Sequence, residues 1–170
     1  MELLQLAAER YSVRKFKTDK VPQEIVEKIL KAGHLAPTAV NFQPQKILVV
    51  TSEDGLAKFR KCTKSHFNAP LAFIVGYDKN TCWRRPFDDK ASGDIDAAIV
   101  GTHMMLEAYS LGIGSTWVMA FDPEAVMREF DLPDTFVPTV VFPMGYPADD
   151  AVPAPRHTQF RDEKEIVEYR

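Results

Sequence analysis

The chain has 170 residues, of which 45% are hydrophobic and 26% are charged. These proportions are typical of a soluble protein with a hydrophobic core, and the length favours a single domain over residues 1–170. The formal net charge of −3 argues against a general nucleic-acid or membrane-surface binder, because such proteins carry a basic excess. We therefore expect any cationic binding site to be local.

Cysteine usage and the N-terminus indicate the compartment. Cys62 and Cys82 match neither a CxxC motif nor a zinc-binding pattern, which favours a reducing environment. The N-terminus has the pattern of an amphipathic helix and not of a signal peptide. No apolar run approaches the roughly 20 residues of a membrane span. These features predict a cytoplasmic protein that does not bind a membrane.

The first half of the chain is predicted to contain three helices and two strands. A rigid, polar, exposed turn with the sequence HLAPTAVNFQPQ precedes the first strand, because Pro37 and Pro44 disfavour helical geometry there. Rigid loops beside strands often hold ligands. The predicted helices cover residues 2–10, 22–33 and 53–64, and the predicted strands cover residues 47–51 and 69–77.

The longest periodic segment of the sequence is a predicted helix over residues 94–110, in which apolar residues recur at spacings of three and four. A polar loop over residues 79–93 precedes this helix. The helix is followed by a strand over 112–121, a helix with Asp122 as its N-cap, a strand over 136–147 and a proline-rich extended tail over 147–170. This order of elements predicts an α+β sandwich.

The stretch ERYSVRKF, residues 9–16, places Arg10, Ser12 and Arg14 at alternate positions. In an extended segment these three side chains would share one side and could converge on a small oxygen-rich anion such as phosphate. In a helix they would not converge. A basic run just after a helix is also typical of a solvated helix end, so the segment alone leaves both interpretations open.

Most familiar catalytic patterns are missing from the sequence. There is no phosphate-binding G-x-x-x-x-G-K-[ST] loop, and Gly112-Ile113-Gly114 follows a predicted helix and enters a strand, the reverse of a Rossmann turn. The four histidines lie far apart, so we predict no metal site. No serine or cysteine lies in a recognisable nucleophile motif. A bound redox cofactor would be compatible with these absences, because such a cofactor supplies its own chemistry.

Several stretches together resemble the nitroreductase family of FMN-dependent oxidoreductases. RYSVRKF resembles the family's R-x-S-x-R segment, and LAPTAVNFQPQKILVV resembles its A-P-[ST]-x-x-N-x-Q-P-W turn and first strand. DIDAAIVGTHMMLEAYSLGIGSTWVMAF resembles its central helix and G-[LI]-G-[ST]-x-W strand. The resemblance covers nearly the whole chain. It implies a three-layer sandwich, with a mainly antiparallel sheet flanked by helices and an extended C-terminal tail exchanged in a homodimer.

The resemblance also implies which residues bind the cofactor. The phosphate of FMN would be held by the Arg/Ser/Arg segment (residues 10–14), and the flavin of the other subunit would be contacted by the polar turn (residues 37–41). Backbone of the 118–120 segment would pass the flavin ring, where an N–H could donate to the nitrogen that receives the hydride. The implied cofactor-binding residues are Arg10, Ser12, Arg14, Pro37, Thr38, Ala39, Asn41, Val118, Met119, Ala120 and Arg161.

Two positions depart from the family pattern. Tyr11 stands where many members have a second arginine, and Gln45 stands where a tryptophan is common. The first change makes the phosphate site less cationic, and the second alters packing at the base of the polar turn. Trp117 is expected to pack in the core, and the 79–93 loop is either a lid over the active site or a solvated loop.

The function implied by the resemblance is that of a flavin-dependent oxidoreductase. A homodimer with FMN would take hydride from NADH or NADPH and reduce a nitro-compound, a quinone or a similar flat acceptor by a ping-pong mechanism. No side chain is assigned to acid–base catalysis. Two alternatives share the same anchor residues: a flavin-binding or flavin-storage protein without significant turnover, and a specialised flavin enzyme of the same family.

Overall fold

The fold was analysed in a computed structural model that describes residues 2–170. Four strands form one sheet with the order β1-β2-β4-β3, and all neighbouring strands are antiparallel. The helices are α1 (Leu3–Glu9), α2 (Gln23–Leu35), α3 (Glu53–Cys62), α4 (Gly93–Ser110) and α5 (Pro123–Glu129), and the strands are β1 (Gln45–Val50), β2 (Leu71–Asp78), β3 (Gly114–Ser115) and β4 (Phe136–Gly145).

Helices cover both faces of the sheet. On one face α2 and α4 pack against a core that includes Phe73, Met104 and Phe142. On the other face α3 and α5 pack against a second core that includes Phe59 and Ile74. Because β2 is central and covered on both sides, it is an almost continuous apolar run. The predicted α+β three-layer sandwich is confirmed.

Helix α4 is the longest helix and lies close to the sheet. A Cβ atom at Gly101 would come within 2.9 Å of the Phe142 ring, so glycine permits this close approach. Gly33 has the same use between helices, since a Cβ there would lie 2.9 Å from Met104. The sequence predicted that α2 ends at Gly33. In the structure the helix continues to Leu35, and Gly33 lies inside its last turn. Within residues 2–170 no helix combines the length and apolar character needed to cross a bilayer.

The predicted strand over residues 112–121 is only partly correct. Only Gly114 and Ser115 pair continuously with β4, and an isolated bridge joins Val118 to Val141. The segment divides its hydrogen bonds between two neighbours: the Thr116 hydroxyl donates to the Val13 carbonyl, whereas the Val118 N–H donates to Val141. Beyond Ser115 the contact with β4 continues only as single hydrogen bonds, such as that from the Thr116 N–H to the Pro143 carbonyl at 3.3 Å.

The tail over residues 147–170 is largely exposed. It contains two short 3-10 turns, Pro155–Thr158 and Glu163–Glu165. Phe160, Ile166 and Tyr169 are exposed by 85%, 68% and 92%. Apolar side chains exposed to this degree in one segment are typical of a surface that is covered in an assembly.

Candidate functional site

The Arg/Ser/Arg segment is extended and is anchored on β3. The Val13 N–H donates to the Ser115 carbonyl over 3.0 Å, and the Val13 side chain is buried. A Cβ at Gly114 would come within 2.6 Å of Val13, so glycine allows the segment to lie directly on the strand. Because Val13 points into the core, Ser12 and Arg14 point the other way.

Ser12 and Arg14 line a cavity of about 260 Å³ between this segment and the start of the tail. Arg14 Nη1 donates to the Ser12 carbonyl over 3.2 Å. Lys15 also lines the cavity and pairs with Asp150, which lowers the pKa of that carboxyl. Arg10 is half-buried just after α1 and does not line the cavity.

In this region of the described chain the lysines are paired with carboxylates, whereas the arginines are not. Lys17 pairs with Asp149 over 2.6 Å, and Lys15 pairs with Asp150. Within residues 2–170, Arg10 and Arg14 form no ion pair with a carboxylate. Apart from the Arg14 Nη1 donor that binds the Ser12 carbonyl, these two guanidinium groups therefore retain N–H donors that could bind an anion.

Tyr11 connects the segment to the tail. Its hydroxyl donates to the Ala151 carbonyl over 3.3 Å, and its ring meets the His157 ring edge-on at 6.2 Å between centroids. Tyr11, which stands where many family members have a second arginine, thus holds residues 151–157 beside the cavity. Arg161, a few residues farther on, is exposed and does not line it.

The polar turn lies against the first turn of α4. The Ala39 N–H donates to Asp96 Oδ1 over 2.8 Å, and the Gln43 N–H donates to Thr38 Oγ1 over 3.0 Å. Pro37 and Asn41 are exposed. Beside them Val40 is 68% exposed and Phe42 is 53% exposed, so the turn presents apolar as well as polar groups to the outside.

The 118–120 segment offers two free backbone donors. The Val118 N–H is used by the Val141 carbonyl at 3.0 Å, so Val118 is not available to donate to a ligand. The N–H groups of Met119 and Ala120 have no acceptor in the described part of the chain, and both residues are exposed. The Ala120 carbonyl accepts a hydrogen bond from the Thr63 hydroxyl at 2.7 Å, which holds the backbone immediately after these two donors.

Trp117 packs against the core. Its ring meets Phe142 edge-on with 5.0 Å between the centroids, and it also packs near Gly101 of α4. This contact confirms the expectation that Trp117 is a packing residue. Its packing fixes the chain immediately before the two free donors.

The Arg/Ser/Arg segment and the polar turn of one chain lie toward opposite ends of α4. Asp96, which binds the turn, is the fourth residue of the helix, and Ser110 is the last. At 1.5 Å per residue these two positions are about 21 Å apart. Val13 packs on Gly114, which lies four residues beyond the end of the helix. One chain therefore does not bring residues 10–14 and 37–41 to the same point.

The two cysteines are buried on opposite faces of the sheet and are unpaired. Burial raises the pKa of the Cys62 thiol to about 11, and the nearby Glu129 and Asp122 carboxylates contribute to the rise. At neutral pH the reactive thiolate is therefore scarce. Residues 2–170 also contain no group of three or more His, Cys, Asp or Glu side chains placed to hold a metal ion.

The predicted 79–93 loop contains an ordered hairpin. Arg84 bridges to Ala91 through the backbone and binds Asp89 with two hydrogen bonds of 2.6 and 2.7 Å. Arg85 is paired with Asp88, and Phe87 at the tip is 95% exposed. The arginines of this hairpin are already engaged, and a lid function remains a prediction.

Comparisons with known proteins identify the family. The model of the nitroreductase family matches residues 7–72 and 64–146. The chain belongs to the nitroreductase family. A solved nitroreductase family protein from Clostridium difficile has 40% sequence identity and a TM-score of 0.93, with 99% of this chain and 98% of that chain covered.

Two further relatives carry more specific names. A provisionally named NADH dehydrogenase/NAD(P)H nitroreductase of Methanothermobacter thermautotrophicus is 31% identical, over 88% of this chain and 80% of the relative. A solved FMN-dependent nitroreductase of Clostridium difficile is 25% identical, with a TM-score of 0.79 and 98% of each chain covered. The names of these nitroreductase relatives support an oxidoreductase activity for this chain.

The sequence did not reveal two residues that organise the site of this nitroreductase family member. Asp96 binds the polar turn, and Thr63 binds the 118–120 segment. Asp96 carried a usable signal, because it occupies the buried face of α4 together with Val100 and Met104. A carboxylate at a core position of a helix requires a hydrogen-bond partner. Thr63 follows α3 and had no such signal.

Proposed function

We propose that this protein is an FMN-dependent oxidoreductase that acts as a homodimer, with residues 1–170 forming one domain. The observation that carries the proposal is that Arg14, which lines the cavity beside Ser12, and Arg10, two residues before Ser12, form no ion pair with a carboxylate within residues 2–170. Two guanidinium groups and a hydroxyl provide the donors that a terminal phosphate accepts. We assign Arg10, Ser12 and Arg14 to the phosphate, with Arg161 joining them from a tail.

The free donors of the 118–120 segment support the placement of the flavin ring. We propose that the N–H of Met119 or Ala120 donates to the ring nitrogen that receives the hydride. Val118 would contribute packing and not a hydrogen bond, since its N–H is bonded to Val141. The segment follows β3, on which Val13 of the phosphate-binding segment packs, so one chain could supply contacts to both ends of one FMN.

The separation along α4 supports a site built from two chains. If Pro37, Thr38, Ala39 and Asn41 contact a flavin, that flavin is held by the phosphate-binding segment of another copy. A twofold dimer with antiparallel copies of α4 provides such an arrangement, because each subunit then offers its turn to the partner.

The outer face of α4 is suited to such an interface. A groove of about 450 Å³ runs along it and is lined mainly by Ile95, Ala98, Ile99, Thr102 and His103. Ile95 is 52% exposed, and the exposed side chains of Leu35, Val40 and Phe42 lie on neighbouring elements. We propose that a second copy covers this surface and that the exposed tails embrace the partner.

Replacing Ala98 with glutamate is expected to produce monomers that have lost most of their FMN. The new carboxylate would be buried without a partner at the centre of the α4 groove. Light scattering coupled to size-exclusion chromatography reports the mass, and absorbance reports the flavin. Ala57→Glu, on the exposed surface of α3, is the matched control and should remain a dimer. A stable monomer of Ala98→Glu that retains FMN would contradict the two-chain site.

In the proposed reaction the chain binds and orients the reactants. The redox chemistry would be supplied by FMN held at Arg10, Ser12 and Arg14, and would consist of hydride transfer from NADH or NADPH and reduction of a nitro-compound, quinone or similar flat acceptor. The residues of the chain would hold the phosphate, orient the ring through the 118–120 segment and leave one face open. Both substrates would use that face in turn, which gives ping-pong kinetics.

The decisive experiment is anaerobic addition of NADH, or separately NADPH, to FMN-loaded protein. Bleaching of the flavin absorbance, and its return with a quinone or nitroaromatic, is expected. Initial rates at several acceptor concentrations should give parallel double-reciprocal lines. Absence of bleaching with both donors would reject this reaction and favour a flavin-binding or flavin-storage protein.

A further inference from the structure

The backbone of the polar turn and its flank is unusual for the residues that form it. Val40, Asn41 and Gln43 have φ angles of 52°, 56° and 52°. Asparagine adopts this left-handed conformation fairly often, but a β-branched residue such as valine rarely does. Backbone of this kind persists only where surrounding contacts hold it in place.

A buried hydrogen-bond chain holds the turn. Asp96 is 1% exposed and accepts from the Ala39 N–H at 2.8 Å through Oδ1. Its Oδ2 accepts from the Ser92 hydroxyl at 2.7 Å, so both carboxylate oxygens are engaged. The Ser92 N–H in turn donates to the Trp83 carbonyl over 2.8 Å, at the base of the 83–91 hairpin. One carboxylate therefore connects the polar turn, the start of α4 and the hairpin.

The position of the contact explains its effect on the turn. Ala39 comes immediately before Val40 and Asn41, the two consecutive residues with positive φ. The other restraints are local to the turn: the Asn41 N–H donates to the Thr38 carbonyl at 3.0 Å, the Phe42 N–H donates to the Ala39 carbonyl at 3.1 Å, and the exposed Gln43 N–H donates to Thr38 Oγ1. Buried hydrogen bonds are less exposed to competition from water than such surface contacts. The Asp96 contact is thus the buried anchor of this backbone.

We propose that Asp96, oriented by Ser92, is a positioning residue that sets the conformation of the polar turn for FMN binding in the partner's site. This inference rests on the proposed function, because it requires that the turn contacts a flavin. Asp96 does not touch the cofactor in this scheme. It acts through the Ala39 N–H and the backbone that follows.

The test compares Asp96→Ala with Asp96→Asn. Alanine leaves the Ala39 N–H without its acceptor, whereas asparagine retains an acceptor for Ala39 and can donate its amide N–H to the Ser92 oxygen. In Asp96→Ala we expect hydrogen exchange in the peptide over residues 36–44 to accelerate about 10-fold in FMN-free protein, and the Kd for FMN to rise about 10-fold. Asp96→Asn should restore both to within about 3-fold of the original protein.

Two controls separate positioning from general destabilisation, and a substitute variant keeps the test valid if Asp96→Ala does not fold. Asp54→Ala removes an exposed aspartate from the first turn of α3 and should change neither measurement. Leu56→Ala destabilises the opposite core and should lower the unfolding temperature without accelerating exchange in the 36–44 peptide. If Asp96→Ala does not fold, Ser92→Ala, which retains the carboxylate but removes its orienting hydroxyl, should show the same changes at smaller amplitude.

The outcomes identify which proposal fails. If the original protein does not bind FMN, the proposed function is wrong, whatever the variants do. If it binds FMN and Asp96→Ala binds equally well, the positioning role is wrong while the proposed function stands. Accelerated exchange with unchanged FMN affinity would likewise overturn the role, because the turn would be held by Asp96 without serving the flavin.

Discussion

Replacing Arg14 with alanine is expected to raise the Kd for FMN roughly 10- to 150-fold, the equivalent of about 1.5–3 kcal/mol for a charge-assisted hydrogen bond. Arg14 lines the cavity beside Ser12 and has no carboxylate partner in the described chain. Its guanidinium can therefore bind a phosphate without first giving up an ion pair. Fluorescence titration of FMN-free protein measures the effect.

Riboflavin provides a control ligand for this prediction because it lacks the phosphate. Its affinity should be nearly the same for the original protein and for Arg14→Ala. Arg60→Ala removes an exposed positive charge at the end of α3 and is the matched control variant. Equal weakening of FMN binding by both variants would indicate general electrostatic attraction, and equal weakening of riboflavin binding would place Arg14 away from the phosphate.

Replacing Met119 with proline is expected to slow flavin reduction roughly 100-fold, the scale seen when one preorganised donor is removed from a reacting centre. Proline has no N–H and so removes one of the two free donors in the 118–120 segment. Met119→Leu retains the N–H and nearly the same volume, and should reduce within about 2-fold of the original rate. Stopped-flow absorbance with a nicotinamide donor, on protein loaded with FMN, measures both.

Ala120→Pro completes this comparison. If only one proline variant is slow while both fold and bind FMN, the slow one identifies the donating residue. Thermal unfolding shows whether each variant is folded. Wild-type rates in both would contradict the proposal that this backbone segment activates the flavin ring.

The sequence predicted the parts of the fold that depend on local periodicity. The apolar spacing of α4 and the continuous apolar run of β2 reflect burial, and both elements lie where they were expected. Asp122 was recognised as an N-cap, and its side chain accepts from the Ala125 N–H over 3.1 Å. The alternation of Arg10, Ser12 and Arg14 was also visible in the sequence, which left open whether the segment is extended; in the structure Ser12 and Arg14 line the cavity and Arg10 does not.

Contacts between distant segments could not be predicted in the same way. The Ala39–Asp96 and Thr63–Ala120 hydrogen bonds each join residues 57 positions apart. The close packing of Met104 against Gly33 also depends on contact between two helices, so the sequence alone could not distinguish this role of Gly33 from that of a helix end. The strand pattern of residues 112–121 was misleading because only Gly114 and Ser115 form a continuous ladder with β4, and apolar patterning does not show where such pairing stops.

The placement of the polar turn and the Arg/Ser/Arg segment toward opposite ends of α4 has a genetic consequence. If each site takes its Arg/Ser/Arg segment from one copy and its polar turn from the other, mutations in two different chains can fall in the same site of a mixed dimer. A mixed dimer of Arg14→Ala and Asp96→Ala chains would then hold one doubly defective site and one intact site. Co-expression of two impaired alleles would restore about a quarter of all sites under random pairing, so the alleles of such a protein would complement each other.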